Sequence, residues 1–93
     1  MTSKERAEWR SKANTLTPIF QIGKGDINEN LFSAVDGALK KRELIKLSIL
    51  ETATVTAKEA AKTLAEATGA EIIQCIGRKF VLYRENPDKE PEA

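Results

Sequence analysis

The residues of this chain whose types and spacing could do chemistry are glycines and cations, not acid–base pairs. Gly23-Lys24-Gly25-Asp26 sits between an apolar run and a helical pattern. A glycine turn there lets backbone amides approach a phosphate closely, and Lys24 adds a cation. The same glycines would equally serve a plain strand-to-helix turn that needs their freedom of φ. The loop lacks the Gly-Lys-Ser/Thr ending of a Walker loop and the third glycine of a dinucleotide fingerprint, so nucleotide hydrolysis is not expected. Lys40-Lys41-Arg42, Lys46 and Arg78-Lys79 add cations of the kind that meet nucleic-acid phosphates. The first of these runs also fits a plain complement to a helix C-terminal dipole. Arg6, Arg10 and Lys12 flank an apolar stripe and read as a solvated face.

Catalysis has little to work with in this composition. The chain has no histidine, which removes the commonest general base, the triads built on it and most zinc sites. Its one cysteine, Cys75, cannot form an internal disulfide or a cysteine metal cluster, and in an apolar strand it reads as buried and inert. The expectation is therefore a protein that is not an enzyme and holds no cofactor and no metal. No apolar run approaches the roughly 20 residues a bilayer needs, and the N-terminus carries no signal-peptide pattern. A cytoplasmic, monomeric protein follows as the expectation, with no membrane and no small-molecule partner.

At 93 residues, 41% hydrophobic and 31% charged, the chain can build one core and not two. Its net charge of +1 hides a segregation: residues 1–84 hold 14 Lys and Arg against 10 Asp and Glu, whereas 85–93 hold Lys89 against Glu85, Asp88, Glu90 and Glu92. The folded part should be basic, with residues 85–93 an acidic, mobile tail.

Seven elements are needed to position these groups. Thr2 with Glu5, then Trp9, Ala13 and Leu16, predicts a helix over Thr2 to Leu16. Ile19 to Ile22 predicts a strand running into the glycine loop. Asp26 with Glu29 makes a capping box before Leu31, Val35, Ala38 and Leu39, so Asp26 is expected to cap the second helix. Leu44 to Leu50 alternates as a strand. Thr56 with Glu59 opens a third helix, whose stripe of Ala57, Ala60, Ala61, Leu64 and Ala65 ends at Gly69. Glu71 to Ile76 and Lys79 to Arg84 read as a hairpin joined by Gly77-Arg78, with glycine placed for a type II′ turn. Phe20, Phe32, Phe80 and Tyr83 are expected in the core, not as base-stacking groups. The order αβαβαββ implies an α/β (α+β) domain in which a four-stranded mixed sheet packs against three helices. Strand order and the face taken by the first helix stay open.

Three separated blocks now carry a resemblance: Pro18-Ile19-Phe20-Gln21-Ile22-Gly23-Lys24-Gly25, Arg42-Glu43-Leu44-Ile45-Lys46 and Ile76-Gly77-Arg78-Lys79-Phe80-Val81-Leu82-Tyr83-Arg84. In content and order they resemble the signatures of the YhbY-like, or CRM-domain, family, over about Lys4 to Arg84. The resemblance implies a small RNA-binding domain over residues 1–84, similar in fold to the C-terminal domain of a bacterial translation initiation factor. It also implies a KH-like GxxG loop and, for single-domain bacterial members, association with precursors of the large ribosomal subunit. The loop maps onto Gly23-Lys24-Gly25-Asp26, with an aspartate in place of the second motif glycine, and a carboxylate there would oppose phosphate clamping. The resulting expectation is a non-catalytic protein that contacts ribosomal RNA through Gly23, Lys24, Gly25, Asp26, Lys40, Lys41, Arg42, Lys46, Arg78 and Lys79. The alternative is a protein–protein adaptor on the ribosome or its assembly factors, using the first helix and the acidic tail.

Overall fold

The computed structural model describes residues 2–85, so the expected acidic tail lies outside the described residues except for Glu85. All seven elements form in the expected order: α1 Ser3–Ala13, β1 Phe20–Ile22, α2 Glu29–Arg42, β2 Leu44–Ile49, α3 Ala57–Thr68, β3 Glu71–Ile76 and β4 Lys79–Tyr83. Thr2 caps α1 by accepting from the Glu5 amide, and Thr56 and Glu59 complete a reciprocal capping box on α3. Gly69 closes α3 in the left-handed conformation. At the hairpin Gly77 takes φ 60 while Arg78 is not among the positive-φ residues, the sign pattern of a type II′ turn.

The sheet order is β1-β2-β4-β3, with β1 parallel to β2 and both pairings of β4 antiparallel. The last strand thus slots between β2 and β3, which the α3 crossover leaves apart. The helices take both faces of the sheet, in three layers. Beneath α2 and α3, Ile22, Ile45, Leu47, Ile49, Phe80 and Leu82 of the strands meet Val35, Leu39, Ala57, Ala60, Ala61 and Leu64 of the helices. The small alanines let α3 approach closely, and each fully buried Leu, Ile or Phe contributes about 1.5–3 kcal/mol. Phe80 is wholly buried and Phe20 and Phe32 pack on the same cluster, as expected of core aromatics.

The opposite face carries a smaller cluster of Ala13, Leu44, Ile73 and Val81, with Trp9, Leu16 and Tyr83 packed against it. α1 brings few apolar side chains to this face, and its hold is completed by other means. The register of β3 shifts between Ile72 and Gln74, leaving Ile73 as the extra residue of a bulge that points into this cluster. Arg6 then donates from Nη1 to the Ile72 carbonyl at 2.7 Å. Arg6, expected on a solvated face, is a tie between α1 and β3. Trp9 and Tyr83 meet with ring centroids 4.4 Å apart, and Lys12 Nζ lies 4.5 Å over the Trp9 ring. One further expectation is corrected: Cys75 is exposed. It lies on β3, the sheet's edge, at a point where neither core cluster includes it.

Candidate nucleic-acid interface

The glycine loop leaves β1 at the end of the sheet where β2 also finishes. Gly23 is buried, and a Cβ there would crowd Thr52 Oγ1 at 3.1 Å and Asp26 Oδ2 at 3.2 Å, so a larger residue would have to displace these side chains by a few tenths of an ångström. Gly25 takes φ 77, a conformation that favours glycine. Asp26 does not cap α2. Its Oδ2 accepts from the Gly23 amide at 2.7 Å, while its own amide donates to the Gly23 carbonyl at 3.2 Å. The cap is Asn28, whose side-chain oxygen accepts from the Leu31 amide and whose Nδ2 donates to the Gly25 carbonyl at 3.2 Å. Two overlapping cap patterns competed here. Asn28 wins because it brings Ile27 and Phe32 to the positions flanking the helix start, and both pack on the core. A carboxylate inside the loop therefore occupies the amide that an approaching phosphate would use.

Several positive features converge at this end. The Leu50 amide donates to the Ile22 carbonyl at 2.8 Å and the Ile49 amide to the Arg78 carbonyl at 2.7 Å, which brings the chain after β2 and the Gly77-Arg78 turn beside the glycine loop. The N-termini of α2 and α3 start from the same end, each with a partial positive charge. Lys24 projects from the loop. Arg78 is paired with Glu51 at 3.2 Å, an exposed contact that a phosphate could displace.

Lys46 and Lys79 lie on the α1 side of the sheet, where the register places them in two adjacent rows. One row crosses all four strands through Gln21, Ser48, Lys79 and Ile76. The next runs through Lys46, Val81 and Gln74. α1 covers the row beyond, at Leu44 and Tyr83, and ends at Ala13, which leaves Gln21, Lys79 and Ile76 exposed and Ser48, Lys46 and Gln74 half-buried around buried Val81. Among the described residues no carboxylate lies within ion-pair distance of Lys24, Lys46 or Lys79.

Lys40, Lys41 and Arg42 are placed elsewhere. They form the last turn of α2, a 14-residue helix about 20 Å long that carries them to the opposite end of the sheet from the glycine loop. There they complement the helix dipole, and Lys40 pairs with Asp36 at 3.4 Å. Arg84, quoted above only as part of a sequence block, is the hub of this end. It donates from Nη1 to Asp36 Oδ1 at 2.6 Å and to the Thr68 carbonyl at 2.7 Å, and from Nη2 to the Asp36 carbonyl at 3.1 Å. These bonds join β4 to α2 and to the end of α3. The Arg84 hydrogen bond, ahead of smaller contributions from Lys40, holds the Asp36 carboxyl below its usual value of 3.8. The ten candidates thus divide into a loop-end group, an open-face group and a distant group. Among the described residues there is no cluster of three metal-ligating side chains and no helix long and apolar enough to cross a membrane.

The family model described as the CRS1 / YhbY (CRM) domain matches residues 1–84. The Bacillus subtilis protein named "Probable RNA-binding protein YqeI" is 39% identical over 90 residues, covering 97% of this chain and 94% of that one. A Methanocaldococcus jannaschii protein, "Probable RNA-binding protein MJ0652", is 34% identical over 86 residues, which is 90% of this chain and 63% of its own. Among solved structures, the solution structure of the hypothetical protein SAV1595 from Staphylococcus aureus superposes with a TM-score of 0.78 at 46% identity, covering 97% of this chain and 94% of that one.

Proposed function

The chain belongs to the CRS1 / YhbY (CRM) domain family, and from that premise we propose that it is a non-catalytic RNA-binding protein of the cytoplasm. Its RNA would be that of the large ribosomal subunit or its precursors, and its task their assembly. The relatives named as RNA-binding proteins support the class of ligand. The observation that carries the reading is that Lys24 of the glycine loop and Lys46 and Lys79 of the open sheet face have no carboxylate within ion-pair distance among the described residues. Phosphates would be met by these lysines, by Arg78 once it leaves Glu51, by the Gly25 amide, and by the Gly23 amide once the Asp26 carboxylate releases it. Lys40, Lys41 and Arg42 would join only if the bound RNA runs the length of the domain.

Binding of the purified full chain to large-subunit rRNA, titrated with salt, tests this. Phosphate contact requires log K to fall linearly with log salt, by about 0.7 to 0.9 per contact. Co-sedimentation with large-subunit particles at low salt should likewise be lost as salt rises. Retention at high salt, with no affinity for free rRNA, would favour the protein–protein adaptor.

A further inference from the structure

The open half of the α1 face has features that phosphate contact alone does not require. A cavity of about 150 Å³ opens there, lined by Asn14, Lys46, Gln74, Ile76, Lys79 and Val81. It is smaller than the roughly 300 Å³ at which pockets for free drug-sized ligands begin, so it suits one ring system of a larger polymer. Its apolar lining is Val81, itself fully buried, and Ile76, a large aliphatic side chain left 67% exposed on the edge strand beside Lys79. Its rim holds two amides. Asn14 follows the last residue of α1, Gln74 stands next to the β3 bulge, and neither side chain makes a hydrogen bond among the described residues.

We infer that this cavity is a subsite for one unpaired base of a single RNA strand. The inference rests on the RNA-binding reading above and deepens it. The base lies on Ile76, the Asn14 and Gln74 amides meet its hydrogen-bonding edge, and Lys46 and Lys79 take the phosphates on either side. A duplex would present this face with phosphates only and would leave the amides and Ile76 without a role, whereas splayed single-stranded bases use an apolar platform and edge hydrogen bonds together. An added protein strand would pair along the free edges of β1 or β3, not on the face between them.

Fluorescence anisotropy of the full chain with a six-nucleotide uridine or adenine RNA, and with copies carrying one abasic position, tests the subsite. For one position, removing the base should weaken wild-type binding about five- to a hundredfold. Gln74→Ala and Asn14→Ala should weaken binding of the intact RNA and shrink that abasic penalty while leaving the salt slope unchanged. Lys46→Ala and Lys79→Ala should instead flatten the slope by about 0.7 each. Wild-type affinity and a full abasic penalty in both amide variants would overturn the subsite and leave RNA binding standing. A wild-type chain that binds neither RNA at low salt would overturn both. Should a variant fail to fold, the side-chain amide resonances of Asn14 and Gln74 in the wild type decide: they shift on adding the RNA, or the inference is wrong.

Discussion

The two faces of the sheet are built by the same strands, residue by alternating residue, and end up doing different work. Beneath α2 and α3 every strand contributes to a closed apolar layer, and at its end Arg84 bonds to α2 and to the end of α3. On the other face α1 closes only half, and beyond it Lys46, Lys79, Gln74 and Asn14 have no ion pair or side-chain hydrogen bond among the described residues. A polar side chain that folding does not engage is free to meet a ligand without first breaking a native contact. The closed face sets stability and the open face is left for recognition, so substitutions should sort by face.

The largest expected effect is on the closed face: Phe80→Ala should cost about 3–5 kcal/mol in denaturant unfolding. Binding per folded molecule should not change. A Phe80→Ala chain that kept its stability would break the comparison at once.

Next comes Arg84→Met, expected to cost about 2–4 kcal/mol because the Asp36 carboxylate and the Thr68 carbonyl lose their donor. Since the pair is partly exposed, the lower end of that range is favoured. Its signature is in acid. The folded-state pKa of Asp36 is depressed, so the pair's stabilisation is fully present above the ordinary value of 3.8 and is lost as pH falls through the lower folded value. Urea midpoints measured from pH 6 downward should fall less steeply in Arg84→Met than in the wild type.

Asp26→Gly sits between the two classes. Losing the carboxylate that accepts from the Gly23 amide should cost about 1 kcal/mol, and the freed amide and removed charge should tighten RNA binding. Weaker binding by a folded Asp26→Gly chain would show that the self-closed loop is the binding form. The smallest stability effect belongs to the open face, where Ile76→Lys should leave unfolding within about 0.5 kcal/mol of wild type. An unfolding midpoint well below that would mean Ile76 supports the fold.

Much of this division was legible in the sequence, because alternation and capping are local. The order of elements followed from apolar periodicity and from Thr2, Thr56 and Gly69, whose capping needs only near neighbours. The position of β4 between β2 and β3 could not be read, since hydrophobic pattern sets which face a residue takes and not which strand lies beside it. Asp26 was misplaced because Asp26-Glu29 and Asn28-Leu31 have equal spacing, and only the tertiary seating of Ile27 and Phe32 separates them. Arg84 and Arg6 gave no local signal: their partners lie 48 and 66 residues away in the chain. The two-row arrangement around Lys46 and Lys79 became visible only once register was known.

The central seat of β4 also governs how the domain can come into being. Until Lys79–Tyr83 is available, β3 has no partner and β2 pairs only with the three residues of β1. The pairing that completes the sheet spans Leu44 to Tyr83, and the Arg84 amide then closes onto the Glu43 carbonyl at 3.0 Å. The β3–β4 hairpin is local, but the β2–β4 contacts join residues far apart in the chain, so the sheet is completed only after β4 emerges. Loss of the last strand would therefore not trim this domain but abolish it.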